Sequence, residues 1–78
     1  MVKVLKLTEM KTGQRAKVST ISGGSGLQKK LEGMGIRPGR SVQKISQHHG
    51  SGPVIIKIGN TQVALGRGMA MKIEVESL

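Results

Sequence analysis

The stretch G23-GSGLQKKLEGMGIRP-G39, running from Gly23 to Gly39, holds six glycines, a basic segment and a proline in seventeen positions. Two folds compete for it. A glycine-rich loop that opens a helix can cradle phosphate, which would make the chain a nucleotide binder. Alternatively, the glycines punctuate one short helix in an otherwise β-rich domain. Spacing decides between them. A phosphate loop needs Gly, four residues, then Gly-Lys-Ser/Thr, and no glycine here begins that series. A dinucleotide fingerprint needs a third glycine where Lys29 stands, within a βαβ unit of about 30 residues. Neither condition is met.

Capping chemistry accounts for the same residues. Ser25 and Gln28 stand three apart, which predicts a capping box with Ser25 as N-cap. Leu27, Leu31 and Met34 form one apolar stripe at helical spacing. Gly35 is expected as the left-handed residue after the helix, with Ile36 folding back onto Leu31 in a Schellman closure. Pro38-Gly39 then suits a type II turn. Gly23, Gly24 and Gly26 exceed what one entry turn requires. Extra glycines also let another backbone approach closely, so this loop is a candidate contact surface.

Around the helix the pattern is one of short strands. Ala16, Val18 and Thr20 alternate with polar residues up to Ile21. Arg40 to Gln47 reads as the next strand, where Val42 and Ile45 have opposite parity and predict a bulge or a change of buried face. Val54, Ile56 and Ile58 lead through a two-residue Gly59-Asn60 hairpin into Thr61, Val63 and Leu65. Gly66-Arg67-Gly68 reads as a corner, and Met71, Ile73 and Val75 as the last strand. Thr8 to Met10 suits a single helical turn. The expected fold is mainly β: a small barrel of about five strands, with one short helix between the first and second of them. Closure would remove exposed edges.

The 78 residues make one domain over positions 1–78. There is no Cys, so neither a disulfide framework nor a thiolate metal site exists. With no Phe, Tyr or Trp, the core must be aliphatic and Met. The missing aromatics also remove the groove that binds proline-rich peptides and the platforms on which single-stranded bases stack. No run reaches the 18 or so apolar residues of a membrane helix, and the start lacks signal-peptide features, so the expectation is a cytoplasmic protein.

The net charge is +9, and it is lopsided. Residues 1–44 hold ten Lys/Arg against two Glu, whereas residues 45–78 hold three against two. Such a field steers the chain toward an acidic partner or an anionic membrane surface. Four Glu, two His and no Asp leave few groups for acid–base catalysis, so no enzyme is expected and no catalytic residue is named. His48 and His49 are the one metal handle. On a strand they would point to opposite sides, and Gly50-Ser51-Gly52 places them in a loop without a nearby carboxylate. A solvated loop is expected, with at most weak association with Fe(II) or another transition metal and no firm cofactor.

These motifs, taken in order, resemble the FeoA family, the small cytoplasmic ferrous iron transport protein A. They are Leu7 to Gln14 (LTEMKTGQ), Gly23 to Leu27 (GGSGL), Leu31 to Gly39 (LEGMGIRPG), Gly52 to Val54 (GPV) and Ala64 to Ala70 (ALGRGMA). One departure is Lys30, at a position often occupied by arginine in the family; a guanidinium fork becomes a point charge. The resemblance implies an SH3-like β-barrel. It also implies a non-catalytic, regulatory role beside the membrane GTPase that imports Fe²⁺, with contact through the transporter's cytosolic region. The protein would lie in the cytoplasm or peripherally at the inner membrane face.

For that contact, Gly23, Gly24, Gly26, Leu27, Lys29 and Lys30 are the candidates. Leu27, in the first helical turn, is expected to be partly exposed: an apolar anchor with a basic rim. The rival reading is a basic SH3-like barrel that binds nucleic acid non-specifically, or a detached relative of the C-terminal domain of iron-dependent repressors. Specific readout of nucleic acid is not expected, because no helix-turn-helix accompanies the barrel.

Overall fold

The computed structural model describes residues 3–47 and 52–77. Six antiparallel strands follow in chain order: β1 (Val4–Lys6), β2 (Arg15–Ile21), β3 (Ser41–Gln47), β4 (Val54–Ile58), β5 (Thr61–Leu65) and β6 (Ile73–Ser77). A 3₁₀ turn (Leu7–Glu9) follows β1, α1 (Ser25–Gly33) joins β2 to β3, and α2 (Arg67–Ala70) joins β5 to β6. The sheet order is β1-β6-β2-β3-β4-β5. It curls into a small SH3-like barrel that stays open, since β1 and β5 are its two edges and do not pair among the described residues. The expected five strands become six because Val4–Lys6 pairs with Glu74–Glu76.

Apart from Lys44, the interior is built of aliphatic residues and Met10. Leu7, Ala16, Leu31, Ile36, Val54, Ile56, Ala70, Ile73 and Val75 are fully buried, and Leu27, Met34 and Ile21 pack against them while half-buried. Two bulges set which residues turn inward. In β3 the register against β4 shifts between Lys44 and Ser46, the irregularity that the parity of Val42 and Ile45 demands. In β2 the register against β6 shifts between Val18 and Thr20. That second bulge leaves Thr20 exposed and turns Ile21 toward the core, reversing the alternation expected there. Ser19 sits at the bulge, and its hydroxyl donates to the Glu74 carbonyl at 3.3 Å.

The end of α1 follows the local chemistry. Gly35 takes φ +88°, its N–H donates to Glu32 O at 2.9 Å, and the Ile36 N–H donates to Leu31 O at 2.9 Å. This is the Schellman arrangement, and it delivers Ile36 into the core. The Pro38-Gly39 turn closes with the Arg40 N–H donating to Arg37 O at 3.1 Å. At Gly59-Asn60 only the first residue has positive φ, so the hairpin is of type II′ rather than type I′.

The start of α1 differs from expectation. Gly24 is the N-cap and Ser25 is already helical, with no side-chain cap. The Gln28 amide instead donates to Gly23 O at 3.3 Å and, more weakly, to Ile21 O at 3.5 Å. Those loop carbonyls hold Gln28 through its amide N–H, whereas a capping box would have used its amide oxygen as an acceptor.

Two other departures matter. The Gly66-Arg67-Gly68 corner is the first turn of α2, which buries Ala70. Met71 consequently ends that helix instead of opening the last strand, and it is 46% exposed.

Lys44 is 2% exposed on the inward face of β3. Its ammonium donates to Met10 O at 2.7 Å, Thr8 O at 3.1 Å and Leu7 O at 3.5 Å, tying the 3₁₀ turn to the sheet. Burial lowers its pKa below the usual lysine range, and the positive charge of Arg67 lowers it further.

Candidate functional site

The chain leaves β2 at Ile21 and crosses to α1 through Ser22, Gly23 and Gly24. The Ser22 N–H donates to Lys72 O at 2.8 Å, which pins this loop to the segment between α2 and β6. Gly23 has φ +122°, and a Cβ there would stand 2.8 Å from Leu27 Cδ2 and 3.6 Å from Lys72 Cδ. The dihedral favours glycine at this position, and a Cβ would also push the Leu27 methyl aside. Leu27 therefore folds back over the entry loop, half-buried, with the aliphatic part of Lys72 beside the same spot.

Gly24 and Gly26 are different. Neither has positive φ, and a Cβ at either would meet nothing within 4 Å. Their backbones are exposed at the first turn of α1, together with Ser25. Lys29 and Lys30 are exposed further along the helix. The six candidate residues thus belong to one loop-and-helix unit: Gly23 and Leu27 form its packed base, and Gly24, Gly26, Lys29 and Lys30 its open surface.

Sequence reasoning missed what lies beside this unit. A groove of about 440 Å³ separates α1 from β2, lined by Ser19, Thr20, Ile21, Gln28, Glu32, Arg37 and Pro38. Ile21 and Pro38 supply apolar surface, while Glu32 and Arg37 supply opposite charges at its rim. The pattern gave no signal for it, because it forms where a bulged strand end meets a helix and the turn that follows. Met71 adds an exposed apolar side chain next to Lys72, and so close to the entry loop.

His48 and His49 lie outside the described residues. Among the described residues, no group of three or more His, Cys, Asp or Glu is placed to hold a metal ion, and no helix is long and apolar enough to cross a membrane.

The glycines give a prediction with opposite signs at two positions. Gly35→Ala is expected to lower stability by about 1–2 kcal/mol, because a Cβ is strained in the left-handed region. Gly26→Ala is expected to raise it by about 0.5–1 kcal/mol, since the site is helical, open and free of positive φ. Urea midpoints of the two variants check this; destabilisation by Gly26→Ala would mean the first turn of α1 is more crowded than described.

Comparison with known proteins agrees with this architecture. Residues 5–77 match the FeoA domain family. A protein of Methanocaldococcus jannaschii named "Putative Fe(2+) transport protein A" is 41% identical over 66 residues, which cover 85% of this chain and 78% of that one. The crystal structure of an iron uptake regulatory protein, FeoA, superposes with a TM-score of 0.91 at 37% identity, covering 97% of this chain and all of the other. A manganese-dependent transcriptional repressor shares the fold alone, with a TM-score of 0.90 at 22% identity over 44% of its length. With nearly its whole length matched in sequence and in fold, the chain belongs to the FeoA domain family.

Proposed function

We propose that this protein is a non-catalytic, regulatory accessory of ferrous iron uptake. It acts on the cytoplasmic side, where it binds the cytosolic region of the membrane GTPase that transports Fe(II) and modulates transport. The observation that carries this reading is the α1 unit, in which two glycines without any conformational requirement leave the backbone open beside a half-buried leucine and two exposed lysines. Family membership supports the iron-transport context, through relatives named for Fe(2+) transport and iron uptake. The +9 charge supports an acidic partner surface, and also contact with the anionic inner face of the membrane.

The test is binding kinetics of the purified chain against the purified transporter or its cytosolic region, at low and high salt, with RNA as competitor. Lys29→Glu combined with Lys30→Glu is expected to slow association several-fold at low salt and to flatten the salt dependence, because steering charges act mainly on encounter. Association that is unchanged by the double reversal would remove α1 from the interface. Displacement of the transporter by RNA would favour the nucleic-acid reading of the same charge.

A further inference from the structure

A second groove, of about 250 Å³, crosses β2, β3 and β4 and is lined by Arg15, Ser41, Val42, Gln43, Lys57 and Gly59. None of these residues belongs to α1 or its entry loop. Strand register builds it. Arg15 is paired with Gln43, and Gln43 with Lys57, so the three form one row across three strands and share one face of the sheet. Adjacent strands lie about 4.8 Å apart, which sets the backbones of Arg15 and Lys57 roughly 10 Å apart with Gln43 between them. A third cation closes one end: Arg40 Nη2 lies 3.9 Å from where a Cβ on Gly59 would be.

No carboxylate is part of the lining, although Glu76 shares this face of the sheet one strand further out. Glu76 is paired in register with Lys17, and Glu74 with Lys6. Glu9 accepts the Lys6 N–H at 2.7 Å, and Glu32 lines the groove beside α1. Two cations, Arg15 and Lys57, therefore line one concavity whose lining includes no counter-charge, Arg40 stands at its Gly59 end, and Lys57 is held there half-buried. Like charges gathered this way cost stability unless an anion joins them.

The donors suit one kind of anion. A guanidinium presents a planar fork that matches phosphate oxygens in pairs, and an ammonium adds a compact charge. The Ser41 hydroxyl is exposed at the rim. The Gln43 amide is fixed by donating to Gly13 O at 3.2 Å, which holds the middle of the row in place. We propose that the Arg15–Arg40–Lys57 groove is a binding site for a phosphate group. Two sources of that chemistry are distinguishable: a small soluble phosphate compound, or the headgroup of an anionic phospholipid.

The experiment has two arms on the full chain. In the first, inorganic pyrophosphate is titrated while amide ¹H–¹⁵N shifts are followed. The expected result is saturable shifts centred on Ser41, Gln43 and Gly59. In the second, the chain is co-sedimented with phosphatidylglycerol-containing vesicles and with phosphatidylcholine vesicles. Arg15→Gln combined with Lys57→Gln, and separately Arg40→Gln, are expected to weaken the response about tenfold. Lys29→Gln combined with Lys30→Gln removes as much charge as the first variant from α1 and is expected to leave the groove response within twofold.

Groove-dependent pyrophosphate binding assigns a soluble phosphate. Groove-dependent vesicle binding without a pyrophosphate response assigns a lipid headgroup. No response in either arm overturns the proposal, and so does equal weakening by the groove and α1 variants, which would reduce the effect to net charge.

Discussion

Lys44→Met is expected to lower stability by about 2 kcal/mol, which in a domain of this size moves the thermal midpoint by roughly 8–15 °C. Two effects oppose each other. Methionine removes a buried charge that burial and Arg67 both disfavour, and that relief is stabilising. Against it, the carbonyls of Leu7, Thr8 and Met10 lose their shared donor. Met10 is itself buried, so its orphaned carbonyl cannot turn to water and costs about 1–3 kcal/mol, whereas the Leu7 carbonyl keeps the Met10 N–H at 3.2 Å. Thr8 is half-buried and recovers part of its loss from solvent. The carbonyls win because methionine takes away only one of the two sides of the interaction.

The same residue gives a pH dependence with a definite sign. In the folded protein Lys44 has a lowered pKa, while unfolded it titrates near the ordinary value of about 10.4. Between the two values the unfolded chain binds more protons, so the stability contributed through Lys44 rises as pH rises through that interval. The gap between wild type and Lys44→Met should therefore widen from pH 7 toward pH 10, as read from urea denaturation at each pH. A gap that narrows would show that the three carbonyls stabilise the ammonium more than burial and Arg67 oppose it.

Lys44 also marks where the sequence stops being legible. The end of α1 was readable because each device is local: Gly35, Ile36 and the Pro38-Gly39 turn are fixed by dihedrals and hydrogen bonds within a few residues. The β3 bulge was readable because the parity of Val42 and Ile45 cannot be met by a regular strand. β1 was not readable. Its three residues become a strand only by pairing with Glu74–Glu76 at the far end of the chain. Lys44 looks like a solvent-facing position until the 3₁₀ turn is packed beneath it, and the bulge at Ser19 leaves no mark in an alternating run.

The site divides in the same way. The surplus glycines and the leucine among lysines were visible as residue types. The groove formed by Ile21, Gln28, Glu32, Arg37 and Pro38 exists only once β2 and α1 are placed side by side. Met71 read as core because it keeps the alternation of Ile73 and Val75, and it is exposed because α2 takes up the residues before it.

Leu27→Gln is expected to cost about 1 kcal/mol of stability while weakening association with the proposed partner, the iron-transporting GTPase, at least tenfold. The stability figure follows from partial burial. A fully buried leucine contributes about 1.5–3 kcal/mol, and Leu27 is only half-buried over Gly23 and Lys72. Leu31, one turn later and fully buried, is the control: Leu31→Ala should cost about 3 kcal/mol and lower binding only as far as it lowers the folded fraction. The binding figure follows from position, since an apolar side chain beside exposed Lys29 and Lys30 can be desolvated fully only by a partner. The loss should appear mainly as faster dissociation, whereas reversal of Lys29 and Lys30 should appear mainly as slower association. If the chain instead uses its charge to hold nucleic acid, the reversal dominates and Leu27→Gln changes little. Equal destabilisation by Leu27→Gln and Leu31→Ala, with binding tracking the folded fraction in both, would make Leu27 a core residue and leave the proposed interface without its apolar centre.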